Sequence, residues 1–213
     1  KTVNQDDIHT YHTFYSDDEG NPGTDMTFFD FPNIPKGTHG TNEISRVGFR
    51  VPSDEALEYY KKRFEEFDVK HGEIEEFLGG KVLDFEESDG QLYRIYSDEN
   101  NEGVPAGKGW KNGPVPEEFA INALGPVEIT VSYFDDFKNV LETLYGLELI
   151  VDEKDLAVYE MGDGGNGARV ILRRDEDSGS SIQGYGIVHH MAPRVEDKKP
   201  IDLWLERDEK FGV

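Results

Sequence analysis

One pattern constrains the fold of this chain more than any other: an apolar-alternating strand followed by an amphipathic helix, recurring along the sequence. In its first occurrence Arg46-Val47-Gly48-Phe49-Arg50-Val51 alternates with the period of two that a half-buried strand requires. Pro52 and Ser53 end that strand, and the Ser53 hydroxyl suits the N-cap of a helix from Asp54. Leu57, Tyr60, Phe64 and Phe67 then fall on one helical face, with Glu58 and Lys62 four apart on the surface. The second occurrence has Val127, Ile129 and Val131 on its strand and Phe137, Val140, Leu141 and Leu144 on its helix. Gly146 is placed to end that helix in the left-handed conformation. The third runs as a strand from Ile187 through Val195 into a helix near Pro200, with Ile201, Trp204, Leu205 and Phe211 as its apolar face. Superposing the three strands aligns Arg46, Glu128 and His190.

Short strand-like segments follow each of the first two helices: Val82–Glu86 and Leu92–Ser97, then Leu156–Glu160 and Arg169–Arg173. Each module therefore reads as strand, helix and about three strands, βαβββ. Gly162-Asp163-Gly164-Gly165-Asn166-Gly167 is a hairpin loop on this reading, since it lacks the strand-then-helix setting of a phosphate cradle. Thr10–Ser16 and Asp25–Phe31 form a strand-turn-strand tail with no leading strand and helix, and the third stretch has no following strands. The expected order is the tail of one module, two whole modules and the head of a fourth. The Gly-, Pro- and Asn-rich stretch 100–117 is the expected linker between an N-terminal domain, 1–99, and a C-terminal domain, 118–213.

Composition narrows the function. The chain carries 45 acidic against 22 basic side chains, a formal charge of −23, which excludes most nucleic-acid binding and opposes docking on an anionic membrane. Aromatic residues make up 12%, enough core material for a folded, soluble protein despite the charge. With no cysteine there is no disulfide, thiolate nucleophile or Cys-based zinc site. No run reaches the roughly 18 apolar residues of a membrane helix, and no signal peptide is expected.

A repeated βαβββ unit is the architecture of the vicinal oxygen chelate superfamily of glyoxalases, bleomycin-resistance proteins and extradiol dioxygenases. Within it the chain resembles bacterial ring-cleaving dioxygenases of hydroquinones and related diphenols. The resemblance rests on Lys1-Thr2-Val3-Asn4-Gln5-Asp6-Asp7, Tyr11-His12-Thr13-Phe14-Tyr15 and Gly20-Asn21-Pro22-Gly23-Thr24-Asp25-Met26-Thr27-Phe28-Phe29. It extends to Phe67-Asp68-Val69-Lys70-His71, Leu124-Gly125-Pro126-Val127-Glu128-Ile129-Thr130-Val131 and Val188-His189-His190-Met191-Ala192. It implies an α+β fold of paired βαβββ modules with curved mixed sheets.

The resemblance also implies a cytoplasmic enzyme with a mononuclear Fe(II), or in some members Mn(II), held by two histidines and a glutamate. Its substrates would be a small aromatic diphenol and O₂. His190 matches one metal ligand, and His189 matches a group beside bound substrate or oxygen on the opposite strand face. The other two ligands are expected before Lys1 and after Val213, so a complete metal site is not expected within this chain. Apolar faces toward such missing strands would be covered by association, including with a second copy of the chain. Two other activities suit the same fold: non-catalytic binding of a small aromatic, as in resistance proteins, and glyoxalase-type isomerisation.

The remaining candidates have plainer readings. His12 reads as a structural strand histidine, and His9, His39 and His71 as solvated. Arg46 and Glu128 align with His190 but have no partner set visible in the sequence. The carboxylates at Glu73, Glu75 and Glu76, and at Asp175, Glu176 and Asp177, lack the loop spacing of an EF-hand and read as solvated surface.

Overall fold

The computed structural model describes residues 1–5, 7–195 and 198–212; Asp6 of the amino-terminal motif and Val213 lie outside the described residues. A small antiparallel sheet comes first, ordered β1 (Thr2–Val3), β2 (Tyr11–Tyr15) and β3 (Met26–Asp30). The first whole module is β4 (Glu43–Val51), α1 (Asp54–Glu66), β5 (His71–Phe77), β6 (Gly80–Glu86) and β7 (Leu92–Ser97). The second is β8 (Ala123–Val131), α2 (Phe134–Thr143), β9 (Glu148–Asp152), β10 (Leu156–Glu160) and β11 (Arg169–Arg174).

Both modules belong to one eight-stranded mixed sheet, ordered β5-β6-β7-β4-β8-β11-β10-β9. In each, the leading strand pairs parallel with the last, β4 with β7 and β8 with β11, and the helix makes the crossover. The halves join where β4 and β8 pair antiparallel, with Arg46 opposite Glu128. The sheet is curled. Val82 and Tyr96 cluster with Val158 and Ile171, although β7 and β11 stand three spacings apart, about 14 Å in a flat sheet.

The helices cover the other face. Ser53 caps α1 through its hydroxyl, which accepts from Ala56 N, and Ala56, Leu57, Tyr60 and Phe64 bury against Val51, Leu83 and Ile95. Burying Leu57 contributes about 2 kcal/mol. Phe67 falls at the C-cap, where the backbone has left the helical conformation, and stays exposed beneath the Arg63 guanidinium. On α2, Phe134 and Leu141 pack against Val131, Ala157, Tyr159, Val170 and Leu172, and Gly146 takes the expected positive φ of 67°.

The segment 100–117 is tied down by a buried arginine. Arg50 donates from Nε to Asp98 Oδ2 at 2.8 Å and from Nη2 to the Val104 carbonyl at 3.0 Å, and Asn166 Nδ2 donates to Asp98 Oδ1 at 3.0 Å.

One expectation for the third repeat is corrected and another holds. Ile187–Val195 forms no strand: among the described residues no strand lies alongside it to supply a ladder, and Pro193 has no N–H to give one. α3 (Lys198–Phe211) forms as expected, with Pro200 in its first turn, and its apolar side chains Ile201, Leu205 and Phe211 are exposed. It meets α2's end through Trp204, stacked on Tyr145 at 5.9 Å, and through Arg207 Nη2, which donates to the Thr143 carbonyl at 2.6 Å.

Candidate functional site

The segment carrying His189 and His190 is placed by two crossing linkers. Residues 36–41 lead into β4 and 180–185 leave β11, and they touch through single bridges at Lys36–Tyr185, Thr38–Ile182 and Thr41–Ser180. Glycine makes this approach possible. A Cβ on Gly37 would overlap Ile187 Cγ1, and one on Gly184 would overlap Gly37 N and Pro35 O. The chain therefore emerges at Ile187 beside the small sheet.

There His189 and His190 meet the aromatic side of that sheet. Their ring centroids lie 5.7 and 6.3 Å from Phe29 on β3. Phe29 is the register partner of His12 on β2, whose ring stacks on it at 4.2 Å and contacts Phe14 at 4.1 Å. Phe31 stacks on Phe29 from further along at 5.3 Å. Three histidines are thus gathered around one phenylalanine.

The two adjacent histidines do not point to opposite faces as a regular strand would require. Their rings stand edge to face at 5.1 Å, and the Nδ1 atoms are 2.8 Å apart. This follows from the irregular backbone of residues 187–195. At that distance one Nδ1 donates and the other accepts, and a neutral donor ring then keeps its lone pair on Nε2, the form a metal ligand takes.

Among the described residues no group of three or more His, Cys, Asp or Glu could hold a metal ion. His189 and His190 are both exposed. The residues present therefore do not make up a two-histidine, one-carboxylate site by themselves.

Arg46 and Glu128 have the partners that the sequence did not reveal. Glu128 is buried, with Arg173 Nε 2.8 Å away, Arg46 Nη1 at 3.6 Å and Arg94 Nη1 at 3.8 Å. Arg94 also donates from Nε to Asp84 at 2.5 Å and from Nη2 at 2.8 Å, and Arg46 approaches the same carboxylate at 3.2 Å. Burial opposes the Arg94 charge, yet the Asp84 hydrogen bonds and the neighbouring Glu128 raise its pKa above the ordinary arginine value. The central position of the sheet is occupied by an ion-pair cluster, consistent with a structural role for both residues.

The glycine-rich loop between β10 and β11 lines an open polar cleft of about 490 Å³ with Asp54, Lys81, Glu102 and Glu160. It is no phosphate cradle. Gly165 N donates to Glu160 Oε1 and Asn166 N to Asn101 Oδ1, so these amides are engaged, and the lining is rich in carboxylates.

His39 is linked to the fold on both sides: Nδ1 lies 3.1 Å from Glu43 Oε1 and Nε2 lies 2.9 Å from the Gly90 carbonyl. His71 Nδ1 contacts the Gly72 carbonyl at 2.8 Å, and His9 is exposed. The sequence missed the association of His12 with Phe29. Its signal was the alternation in Tyr11–Tyr15, which puts His12 and Phe14 on one face, but their partner lies across the turn on β3.

No family model matches the chain. It is similar over almost its full length to curated proteins of Bacillus subtilis. It is 40% identical over 209 residues to "Putative ring-cleaving dioxygenase MhqA", covering 96% of this chain and 66% of that protein. It is 32% identical over 198 residues to "Putative ring-cleaving dioxygenase MhqO", covering 92% and 61%. The chain thus spans a little under two thirds of the length of these relatives. Among solved structures, a putative dioxygenase from Bacillus subtilis superposes with a TM-score of 0.85 at 28% identity, covering 99% of this chain and 65% of that one. Glyoxalase I from Zea mays superposes with a TM-score of 0.57 at 11% identity, covering 84% and 60%, a likeness of fold alone.

The curled mixed sheet and its neighbours define the glyoxalase and extradiol dioxygenase fold, and the chain belongs to the vicinal oxygen chelate superfamily. Within that superfamily its curated relatives are the Bacillus proteins named for ring-cleaving dioxygenases.

Proposed function

We propose that the protein carrying this chain is a cytoplasmic ring-cleaving dioxygenase. It would open hydroquinone- or catechol-like diphenols with O₂, using Fe(II) or Mn(II), with His190 as one metal ligand and His189 beside the substrate. The observation that carries this reading is the 40% identity to MhqA across 96% of the chain. The site supports it in kind: the exposed imidazoles of His189 and His190 stand beside the Phe29 ring, on which Phe31 stacks, a setting that offers both nitrogen donors and flat apolar contact to an aromatic ring. The described residues do not complete the metal site, and the remaining donors are part of the proposal. No helix among the described residues is long and apolar enough to cross a membrane.

The test is oxygen consumption by the intact protein, prepared anaerobically, reloaded with Fe(II) or Mn(II) and given a panel of hydroquinones and catechols. The expected result is diphenol-dependent O₂ uptake matched one to one by ring-opened product, abolished in His190→Ala. Diphenol binding without O₂ uptake under either metal would assign the protein to sequestration instead. Turnover of a thiol hemiacetal without O₂ would assign it to glyoxalase chemistry.

A further inference from the structure

The sequence reads His39 as solvated, but the structure engages both of its ring nitrogens. Nδ1 lies 3.1 and 3.2 Å from the two carboxylate oxygens of Glu43, and Nε2 lies 2.9 Å from the Gly90 carbonyl. Both partners are oxygen acceptors, so both contacts are hydrogen bonds only when each nitrogen carries a hydrogen, which is the imidazolium. Glu43 is buried, and among the described residues no lysine or arginine pairs with it. Its carboxylate otherwise accepts from Gly40 N at 3.2 Å. A buried carboxylate requires such a partner, so the hydrogen on Nδ1 is the one the ring keeps. A neutral His39 therefore turns a bare Nε2 toward a carbonyl oxygen, and the Gly90 contact is lost.

Gly90 belongs to the β6–β7 turn, which touches both linkers behind the histidine pair. His39 ties that turn to residues 36–41. Gly186 lies against it from the other linker at a φ of 81°, where a Cβ would stand 2.4 Å from the Asp89 carbonyl oxygen. The linkers are joined to each other by Gly37 N donating to Tyr185 O at 2.9 Å and by the reciprocal Thr38–Ile182 pair, both at 2.9 Å. We propose that His39 is a positioning residue for the His189–His190 segment: as the imidazolium it latches the β6–β7 turn onto the two linkers from which that segment emerges, and on losing its proton it releases the turn. The other charged groups around the ring are Glu86 on β6, paired with Lys70, then Lys36 on the first linker, and Glu87 and Asp89 on the turn. With 36% of its side chain exposed, the ring exchanges protons freely with solvent. The inference rests on the function proposed above for what the histidine pair does, and on this geometry alone for what holds it.

The experiment is hydrogen exchange of the intact, metal-free protein by nuclear magnetic resonance from about pH 5 to 8, with the ring protons of each histidine followed in the same samples. Protection factors at Gly37, Ile182 and Tyr185, whose amides bond across the linkers, are expected to fall about ten-fold as His39 loses its proton, the worth of one hydrogen bond to a charged group. The β10 amides should keep their protection. In His39→Asn the side-chain nitrogen replaces Nδ1 on Glu43 and cannot reach Gly90, so the low protection should hold at every pH with no step. A flat wild-type profile across the His39 titration would overturn the latch. So would a step that persists in His39→Asn, since it would belong to another group. Should that variant not fold, the wild-type step decides: it must share the midpoint of the His39 ring protons, and a step that follows His189 or His190 instead overturns the proposal. Absence of ring-opening activity would overturn the functional reading and leave these exchange profiles unaffected, so the two fail separately.

Discussion

At Asp17 one carboxylate organises a whole turn. It accepts from Glu19 N at 3.2 Å, Asn21 N at 2.8 Å, Asn21 Nδ2 at 2.6 Å and Lys108 N at 2.8 Å, and so ties the β2–β3 turn to the segment after Gly107. Burial alone would raise its pKa, but the hydrogen bonds from Asn21, Lys108 and Glu19 together hold it well below the ordinary 3.8. The sign of the linkage follows. A carboxyl whose folded pKa is depressed stabilises the fold fully above its unfolded value, and that stability is lost as pH falls toward the folded value. Asp17→Asn should therefore cost about 2 kcal/mol at neutral pH, because amide hydrogens would face backbone donors. It should also flatten the loss of stability below pH 3.8 relative to wild type. Urea midpoints at pH 7 and in the acid range measure both effects, and parallel pH profiles for the two proteins would exclude the role.

At the scale of elements, local signals were legible and dependent ones were not. The limits of β4 and α1 follow from alternation, Pro52 and the Ser53 cap, all contained within a few residues. The same reasoning extended Ile187–Val195 into a strand and failed, because a strand exists only with a neighbour and that segment has none among the described residues. The site was legible only in part for the same reason. His189 and His190 are recognisable as a motif, whereas His12 acquires meaning only through Phe29, seventeen positions away (29 − 12) and opposite it in register. Nothing in the sequence pattern marked the contact of the two linkers that places the histidine pair. Gly37→Ala tests that contact. The added methyl must displace Ile187, at a cost of about 1–3 kcal/mol. Amide chemical-shift changes should concentrate at residues 182–190 and leave the β4 and β8 amides in place. Changes spread evenly over the large sheet would show that the linkers do not set the position of the histidine pair.

For the whole molecule, the β4–β8 pairing decides how the modules behave. A chain with a long Gly- and Pro-rich connection could unfold in two steps, but here hydrogen bonding runs unbroken from β5 to β9, and Val82 and Tyr96 pack on Val158 and Ile171 across the curl. The ion-pair cluster sits on the same seam, drawing Arg46 and Arg94 from one module and Glu128 and Arg173 from the other. Removing one buried partner leaves the opposing charges uncompensated, which is far more costly than an exposed pair is worth. Glu128→Ala should therefore cost about 3 kcal/mol, and the loss should be felt by both modules at once. Urea unfolding followed by far-ultraviolet circular dichroism and by hydrogen exchange of β6 and β10 amides should give one coincident transition in wild type. The same single transition should move to lower urea in the variant. If the exchange of β10 accelerates while β6 keeps its protection, the seam does not couple the halves, and each module owes its stability to its own helix.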